Sequence, residues 1–211
     1  MSKRPDLYTS YRKETSIFQN NTQKFWFLVM LIAAILVCFV ASDYWLILLT
    51  NALLVSIAAW GLNIVSGLAG QINLAHGVFV GIGTYASAVI GGVATRSVIG
   101  YELDLLLWLP LSGLIAALVG IIISPIAVRL KGLNLGLVTL AFVFIGSHVF
   151  SNMVFVTGGS GLGRKAARLK IFGIDLNSGL EIGNIIIQKN QILYFISLLV
   201  AVLSGIGVKN L

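Results

Sequence analysis

The sequence predicts an all-α, polytopic transmembrane protein, and three observations support that prediction. Of its 211 residues, 58% are hydrophobic and only 10% are charged, whereas a soluble domain has about 25% charged residues. The hydrophobic residues form long unbroken runs, not the alternating segments of about ten residues that build a membrane β-barrel. The run from Tyr44 to Thr95 contains no charged residue, and as a helix it is long enough to cross a bilayer twice.

The apolar runs divide the chain into about six spans. We predict a polar, cytoplasmic N-terminal tail over residues 1–24 and a transmembrane domain over residues 25–211. The predicted spans are, in order, about Phe25–Ala41, Tyr44–Val65, Val78–Val93, Leu105–Val128, Leu133–Val156 and Gln191–Val208. Their lengths are close to what a helix needs to cross the hydrocarbon core.

Polar or charged residues mark each connection between the spans. Ser42-Asp43 predicts a tight turn, and Arg129 and Lys131 bracket a basic turn. A short loop separates spans three and four and carries Arg96, Glu102 and Asp104. Residues 157–189 break the apolar pattern and predict a long loop between spans five and six.

Basic residues also predict the orientation of the chain. With the N-terminus inside, eight are cytoplasmic: Lys3, Arg4, Arg12, Lys13, Lys24, Arg129, Lys131 and Lys209. Six lie on the opposite side. Arg96 is in the short loop, and the long loop contains Arg164, Lys165, Arg168, Lys170 and Lys189. The short loops follow the positive-inside rule, so we expect a cytoplasmic N-terminus and a periplasmic 157–189 loop.

The uncharged run is interrupted by glycines and polar side chains, which predicts a broken helix near residues 66–77. Non-helical backbone at membrane depth persists only where protein or a water-filled cavity surrounds it. Transporters use such breaks to build sites near the membrane midplane. We therefore assign five polar residues to a translocation path: Asn63, Ser66, Gln71, Asn73 and His76.

Two pairs of glycines have the spacing of helix-packing positions. Gly77 and Gly81 lie four residues apart, as do Gly132 and Gly136. Small residues at this spacing let two membrane helices approach closely. We expect these four glycines to lie at helix contacts.

The far end of span five presents a polar face formed by Ser147, His148, Ser151 and Asn152, ahead of the glycine-rich stretch Thr157–Leu162. These residues share one face at helical spacing. This pattern fits the outer mouth of a path, to which we assign His148. It fits equally well a helix end that emerges into the lipid head groups.

Several classes of function find no support in the sequence. The net charge of +7 comes from basic residues that flank apolar spans, a placement typical of contact with anionic membrane lipid and not of nucleic-acid binding. Cys38 is the single cysteine and lies in an apolar run, so no intrachain disulfide can form. No catalytic motif, metal-ligand cluster or cofactor motif is evident.

All carboxylates lie in the tail or the predicted loops. A proton-driven or voltage-driven transporter needs ionisable groups inside the membrane. If the chain takes part in active transport, the energy must therefore come from a partner.

Three blocks of sequence, in this order, resemble one transporter family. They are Gly61–Tyr85, Leu130–Phe142, and Thr157–Leu162 followed by Ile171–Gly173. The chain from about Tyr44 to Asp175 resembles the permeases of branched-chain amino acid ABC importers, the LivH/LivM family, and the order and spacing are of the LivM type.

The resemblance implies a bacterial inner-membrane subunit that is not itself an enzyme. It implies a path shared with a homologous LivH-like permease, two cytoplasmic ABC ATPases that hydrolyse ATP, and a periplasmic solute-binding protein. Members of the wider family also take up urea or short amides, so the substrate does not follow from the resemblance.

The chain departs from the family pattern in three places. Val143–His148 lacks the acidic and basic residues that many relatives carry after Phe142, and the loop Gly158–Leu162 lacks a usual acidic or amide residue. Relatives also continue beyond Leu211 with a cytoplasmic coupling segment, so we expect a C-terminally truncated permease. Two alternatives stay open: a passive channel for a small neutral solute such as urea or an amide, and a truncated permease that does not transport.

Overall fold

The computed structural model describes residues 20–130, 132–159, 163–182 and 185–210, and these residues are mainly helical. The helices in chain order are α1 (Asn21–Val40), α2 (Asp43–Asn63), α3 (His76–Gly91), α4 (Leu105–Arg129), α5 (Leu133–Asn152), α6 (Val154–Thr157) and α7 (Lys189–Lys209). A π-helical turn, Ile64–Leu68, extends α2. The predicted all-α fold is confirmed. Most of the predicted tail, residues 1–19, lies outside the described residues.

Within the described residues, five helical segments are long and apolar enough to cross a membrane. They are α1, α2 with its π-helical turn, α4, α5 and α7. The remaining predicted span corresponds to α3, which has 16 residues and is therefore about 24 Å long. It is shorter than the hydrocarbon core of about 30 Å, and it begins and ends two residues earlier than the predicted Val78–Val93.

The 157–189 loop contains short strands that the sequence pattern did not predict. Strand β1 (Lys170–Ile171) pairs antiparallel with β2 (Ile174–Asp175), and Phe172 and Gly173 both have positive φ, as a tight hairpin turn requires. Strand β3 (Leu180–Ile182) pairs with β4 (Ile185–Ile187), with Leu180 opposite Ile187. Strands of two or three residues are too short to show alternation in the sequence.

The chain forms two compact units, residues 1–60 with 190–211 and residues 61–189. In the described part of the first unit, Cys38, Leu46 and Tyr194 form a buried core. The Tyr194 hydroxyl donates to the carbonyl of Ala34 at 2.9 Å, and Nε2 of Gln191 donates to the carbonyl of Cys38 at 3.1 Å. Because apolar packing alone drives helix association weakly in lipid, these two bonds help to hold α7 on α1.

In the second unit, α3 packs against both α4 and α5. A Cβ atom at Gly83 would lie 3.8 Å from Cβ of Ala116 on α4, and a Cβ at Gly81 would lie 2.7 Å from Cε2 of Phe150 on α5. On α5, a Cβ atom at Gly146 would lie 2.6 Å from Cγ1 of Val78 on α3. Glycine on each side of the α3–α5 contact therefore allows the two backbones to approach closely.

Helix α4 runs antiparallel to α3, so this unit has two distinct ends. At one end, which we call the Gly91 end, Trp108 near the start of α4 contacts the position of Gly91, the last residue of α3. The other, the Arg129 end, holds the first turn of α3, the last turns of α4 and the first turns of α5.

Candidate functional site

The break in the membrane helix lies where the sequence predicts it. After the π-helical turn, residues 69–75 are not helical, and α3 starts at His76. Gly70 has φ +62°, a conformation that glycine adopts without strain. The Asn63 side chain lies directly against Gly67, where a Cβ atom would collide with it. Single π-helical turns of this kind are common at functional sites.

Two polar side chains hold the broken segment in place. Thr139 of α5 accepts a hydrogen bond from the backbone N–H of Leu74 at 3.2 Å and donates to the carbonyl of Gly136 at 3.0 Å. Oδ1 of Asn73 accepts from the backbone N–H of Ala75 at 3.0 Å, just before α3 begins. The broken segment is therefore anchored to the first half of α5.

A cavity of about 360 Å³ lies beside the break, within the second unit. This volume is in the range of small-molecule sites, about 300–1,000 Å³. The break and α3 contribute Gln71, Ile72, Asn73, His76 and Phe79 to its walls, and α4 and α5 contribute Ala116, Gly120, Ile123, Ser124, Leu135, Val138, Thr139 and Phe142. None of the described residues lining the cavity is charged. Gly61 of α2 and Val65 of the π-helical turn also line it, and most of its wall comes from the parts of α3, α4 and α5 that meet at the Arg129 end.

His76 has a hydrogen-bonding atom that is buried without a partner. Its Nε2 forms no hydrogen bond with any described residue. Its Cε1 lies 3.3 Å from the position of a Cβ atom on Gly61, so the imidazole packs closely on the backbone of α2. A buried polar atom without a partner costs free energy of roughly 1–3 kcal/mol, and such an atom at a cavity is available to a ligand or to water once the ring moves.

Of the six residues predicted to line a path, the structure brings three together. Gln71, Asn73 and His76 line the cavity. Asn63 and Ser66 lie on the exposed side of the α2 extension, outside its lining.

His148 is exposed on the second half of α5 and also lies outside the lining. The Asn152 side chain donates to the backbone carbonyl of His148 at 2.8 Å. The cavity is at the Arg129 end, whereas His148 is a few residues from the α5 terminus at the opposite end.

The four glycines predicted to pack helices behave differently from one another. Gly81 faces Phe150, and Gly136 faces Ile72 with 3.4 Å between its Cβ position and Cγ2. At Gly77 and Gly132, apart from chain neighbours and the helix's own nearby backbone, no atom of the described residues lies within 4 Å of a Cβ placed there. Gly132 instead has φ +58° just before α5, so the backbone turn explains it.

Sequence reasoning missed the contribution of α4 to the cavity. Ala116, Gly120 and Ser124 are spaced four residues apart and all line it. This row of small residues within an apolar helix is a readable signal, but it is indistinguishable in sequence from a helix-packing face. Gly146, which faces Val78, was missed for the same reason.

A second polar feature lies at the Gly91 end. The Arg164 guanidinium donates to the carbonyls of Val156 at 2.6 Å and Ile99 at 2.8 Å, and also to that of Ala88. Burial lowers the pKa of Arg164 below its ordinary value, but an arginine stays charged in proteins. The cation therefore joins α3, α6 and the 92–104 loop.

Comparison with known proteins places the chain among membrane permeases. It is 30% identical over 155 residues to the "high-affinity branched-chain amino acid transport system permease protein LivM" of Salmonella typhimurium strain LT2 and to the protein of that name from Escherichia coli strain K12. The match covers 74% of this chain and 35% of each relative, so the chain aligns with about a third of the length of these curated relatives. No solved structure matches it significantly.

The family model for the permease component of the branched-chain amino acid transport system matches residues 44–206, which include the break and every residue that lines the cavity. The chain therefore belongs to the family of branched-chain amino acid transport system permease components.

Proposed function

We propose that the chain is a membrane-spanning permease subunit of an ATP-driven ABC importer for branched-chain or other hydrophobic amino acids. The observation that carries the proposal is the uncharged cavity beside a broken membrane helix, in a chain of this permease family. Broken helices supply the free backbone groups with which transporters bind small polar solutes.

The partners in this proposal follow from the family and from the missing energy source. Among the described residues that line the cavity, His76 alone is ionisable, and a proton-coupled path needs ionisable groups inside the membrane. A homologous LivH-like permease would complete the path, cytoplasmic ABC ATPases would drive it, and a periplasmic solute-binding protein would deliver the substrate. The two LivM proteins named above are components of a branched-chain amino acid transport system.

We propose a bacterial inner-membrane location with a cytoplasmic N-terminus. In this orientation the Arg129 end, and the cavity with it, lie in the cytoplasmic half of the membrane. Arg164 and Arg168 lie on the opposite side, where Arg164 is bound to backbone carbonyls and Arg168 lies 3.6 Å from Glu102. Arg164 is therefore engaged inside the fold, and Arg168 forms an ion pair at the surface, which is consistent with basic residues on a non-cytoplasmic face.

Purification and uptake together test the proposal. The chain is affinity-purified from its native membrane in mild detergent, partners are identified by mass spectrometry, and the complex is reconstituted into vesicles. We expect an ABC ATPase and a second permease to copurify, and leucine uptake to require ATP. A homo-oligomer without an ATPase, together with solute flux independent of ATP, would instead support the channel alternative and overturn the proposal.

A further inference from the structure

The walls of the cavity differ in polarity according to the element that forms them. The break and the start of α3 contribute three polar side chains, Gln71, Asn73 and His76. The α4 wall is apolar or small, with Ser124 as its single polar side chain. A ligand that fits both kinds of wall has a polar head and an apolar tail.

Hydrogen-bonding groups at the break are available to such a head. Nε2 of His76 is buried and forms no hydrogen bond with a described residue, so it can bind a ligand once the ring moves. The Gln71 side-chain amide and the backbone N–H groups of Ile72 and Asn73 form no hydrogen bond with another described residue. In contrast, Thr139 already binds Leu74 and Gly136. The polar head of a ligand therefore has more free partners at the break than on α5.

The depth of the apolar part is determined by small residues on α4. Ala116, Gly120 and Ser124 follow one another at intervals of four residues, so they lie on one face of the helix. A Cβ atom at Gly120 would make ordinary van der Waals contact with Phe79, at 3.9 Å from its Cε1. A branched side chain at position 120 would extend beyond that contact and narrow the cavity that both residues line.

We propose that the α4 wall selects the substrate by the size of its side chain, with Gly120 and Ser124 as the specificity-determining residues. The polar head of the amino acid lies at the break, and its apolar side chain extends toward α4 and occupies the space above Gly120. This inference rests on the proposed function as an amino acid permease and adds the residues that determine its selectivity.

The experiment compares the uptake of leucine and alanine by the native complex in membrane vesicles. The test variant is Gly120→Val, which narrows the apolar part of the cavity. The matched control is Gly113→Val on the same helix, where no described atom lies within 4 Å of a Cβ position and which does not line the cavity. Wild type and variants use the same binding protein, so its selectivity cancels in the ratio.

We expect Gly120→Val to lower the leucine-to-alanine uptake ratio by about tenfold, the scale on which a hydrophobic pocket discriminates single methylene groups. Gly113→Val should leave the ratio at the wild-type value. An unchanged ratio in Gly120→Val, or equal loss of both substrates, would overturn the inference.

Gly120→Ala keeps the test decisive if Gly120→Val does not assemble. Its added Cβ makes only ordinary van der Waals contact with Phe79, so folding should be unaffected. The ratio should shift in the same direction by a smaller factor, and an unchanged ratio counts against the inference. A wild-type complex without ATP-driven leucine uptake would contradict the proposed function itself, which is a separate result.

Discussion

At the scale of single residues, the glycines of α3 illustrate how one residue type serves different purposes. Gly81 allows contact with Phe150, whose ring also lies 4.9 Å from the ring of Tyr85. Gly77, four residues earlier, is exposed and touches no described side chain within 4 Å of its Cβ position. Spacing alone treats the two glycines as equivalent, whereas the structure distinguishes them.

Leucine at position 81 should therefore destabilise the protein, whereas leucine at position 77 should not. Gly81→Leu forces Phe150 away from Tyr85, and overpacking of this kind costs about 1–3 kcal/mol. The apparent Tm in detergent should fall by about 3–9 °C, as measured by a thermal-shift assay. Equal Tm values for Gly81→Leu and wild type would show that this α3–α5 contact is not tight.

Arg164 should stabilise the Gly91 end through its hydrogen bonds to carbonyls. Arg164→Met removes donors to three carbonyls and should cost about 3 kcal/mol, because hydrogen bonds from a charged group are the strong ones. Limited trypsin digestion should then cut faster at Lys170. Lys165→Met, at the exposed neighbouring residue, is the control, and faster cleavage in both variants would rule out a specific role for Arg164.

Sequence patterning picks out polar residues in an apolar run, but it does not show which of them lie beside one another in the fold. Gln71, Asn73 and His76 stand out as polar groups in an uncharged run, and all three line the cavity. His148 stands out in the same way but lies at the other end of its helix from the cavity. Only the packing of α3 between α4 and α5 separates these two cases, and that packing depends on long-range contacts.

At the scale of elements, the fold depends on how the broken segment is held. A helix interrupted in the membrane leaves backbone groups that need other partners. Here the hydroxyl oxygen of Thr139 on α5 accepts the hydrogen bond from the backbone N–H of Leu74. The start of α3, and with it the position of His76, follows from that contact.

Thr139→Val should loosen the break while preserving side-chain shape. The loss of the hydrogen bond to Leu74 costs about 1 kcal/mol, so amide hydrogen exchange over residues 69–77 should speed up about fivefold. Thr84→Val is the matched control, because the Thr84 hydroxyl donates to the Val80 carbonyl of its own helix. If exchange over this segment were the same in both variants, Thr139 would not anchor the break.

Element boundaries were predictable to within a few residues because polar and charged residues mark the connections between the apolar runs. Helix α4 starts at Leu105 as predicted and ends at Arg129, one residue beyond the predicted Val128. The β-hairpins of the 157–189 loop were not predictable, since their strands have only two or three residues. Their stability comes from pairing and turn geometry, which leave little trace in hydrophobic patterning.

At the scale of the whole molecule, composition alone was sufficient to establish a helical membrane protein. The approximate places of the spans followed from the apolar runs, although one of the six, α3, is shorter than a membrane span, and the broken helix followed from the glycine and amide residues within the uncharged run. What the sequence did not reveal is the cavity, because its walls combine the break and the end of α2 with residues of α3, α4 and α5. Its uncharged lining connects the fold to the proposed transport of hydrophobic amino acids.

The most direct test of the central claim, that this cavity lies on the substrate path, is protection of a single cysteine. Ser124 lines the cavity and is exposed, and the only native cysteine, Cys38, is fully buried. Ser124→Cys is labelled with a membrane-impermeant maleimide in inside-out native vesicles, and Arg129→Cys, at an exposed residue of the same helix end that does not line the cavity, is the control.

We predict that leucine slows the labelling of Ser124→Cys several-fold, that arginine does not, and that Arg129→Cys reacts equally under all conditions. Labelling of Ser124→Cys that is unaffected by leucine, in a complex that still takes up leucine with ATP, would place the substrate path elsewhere and contradict the account.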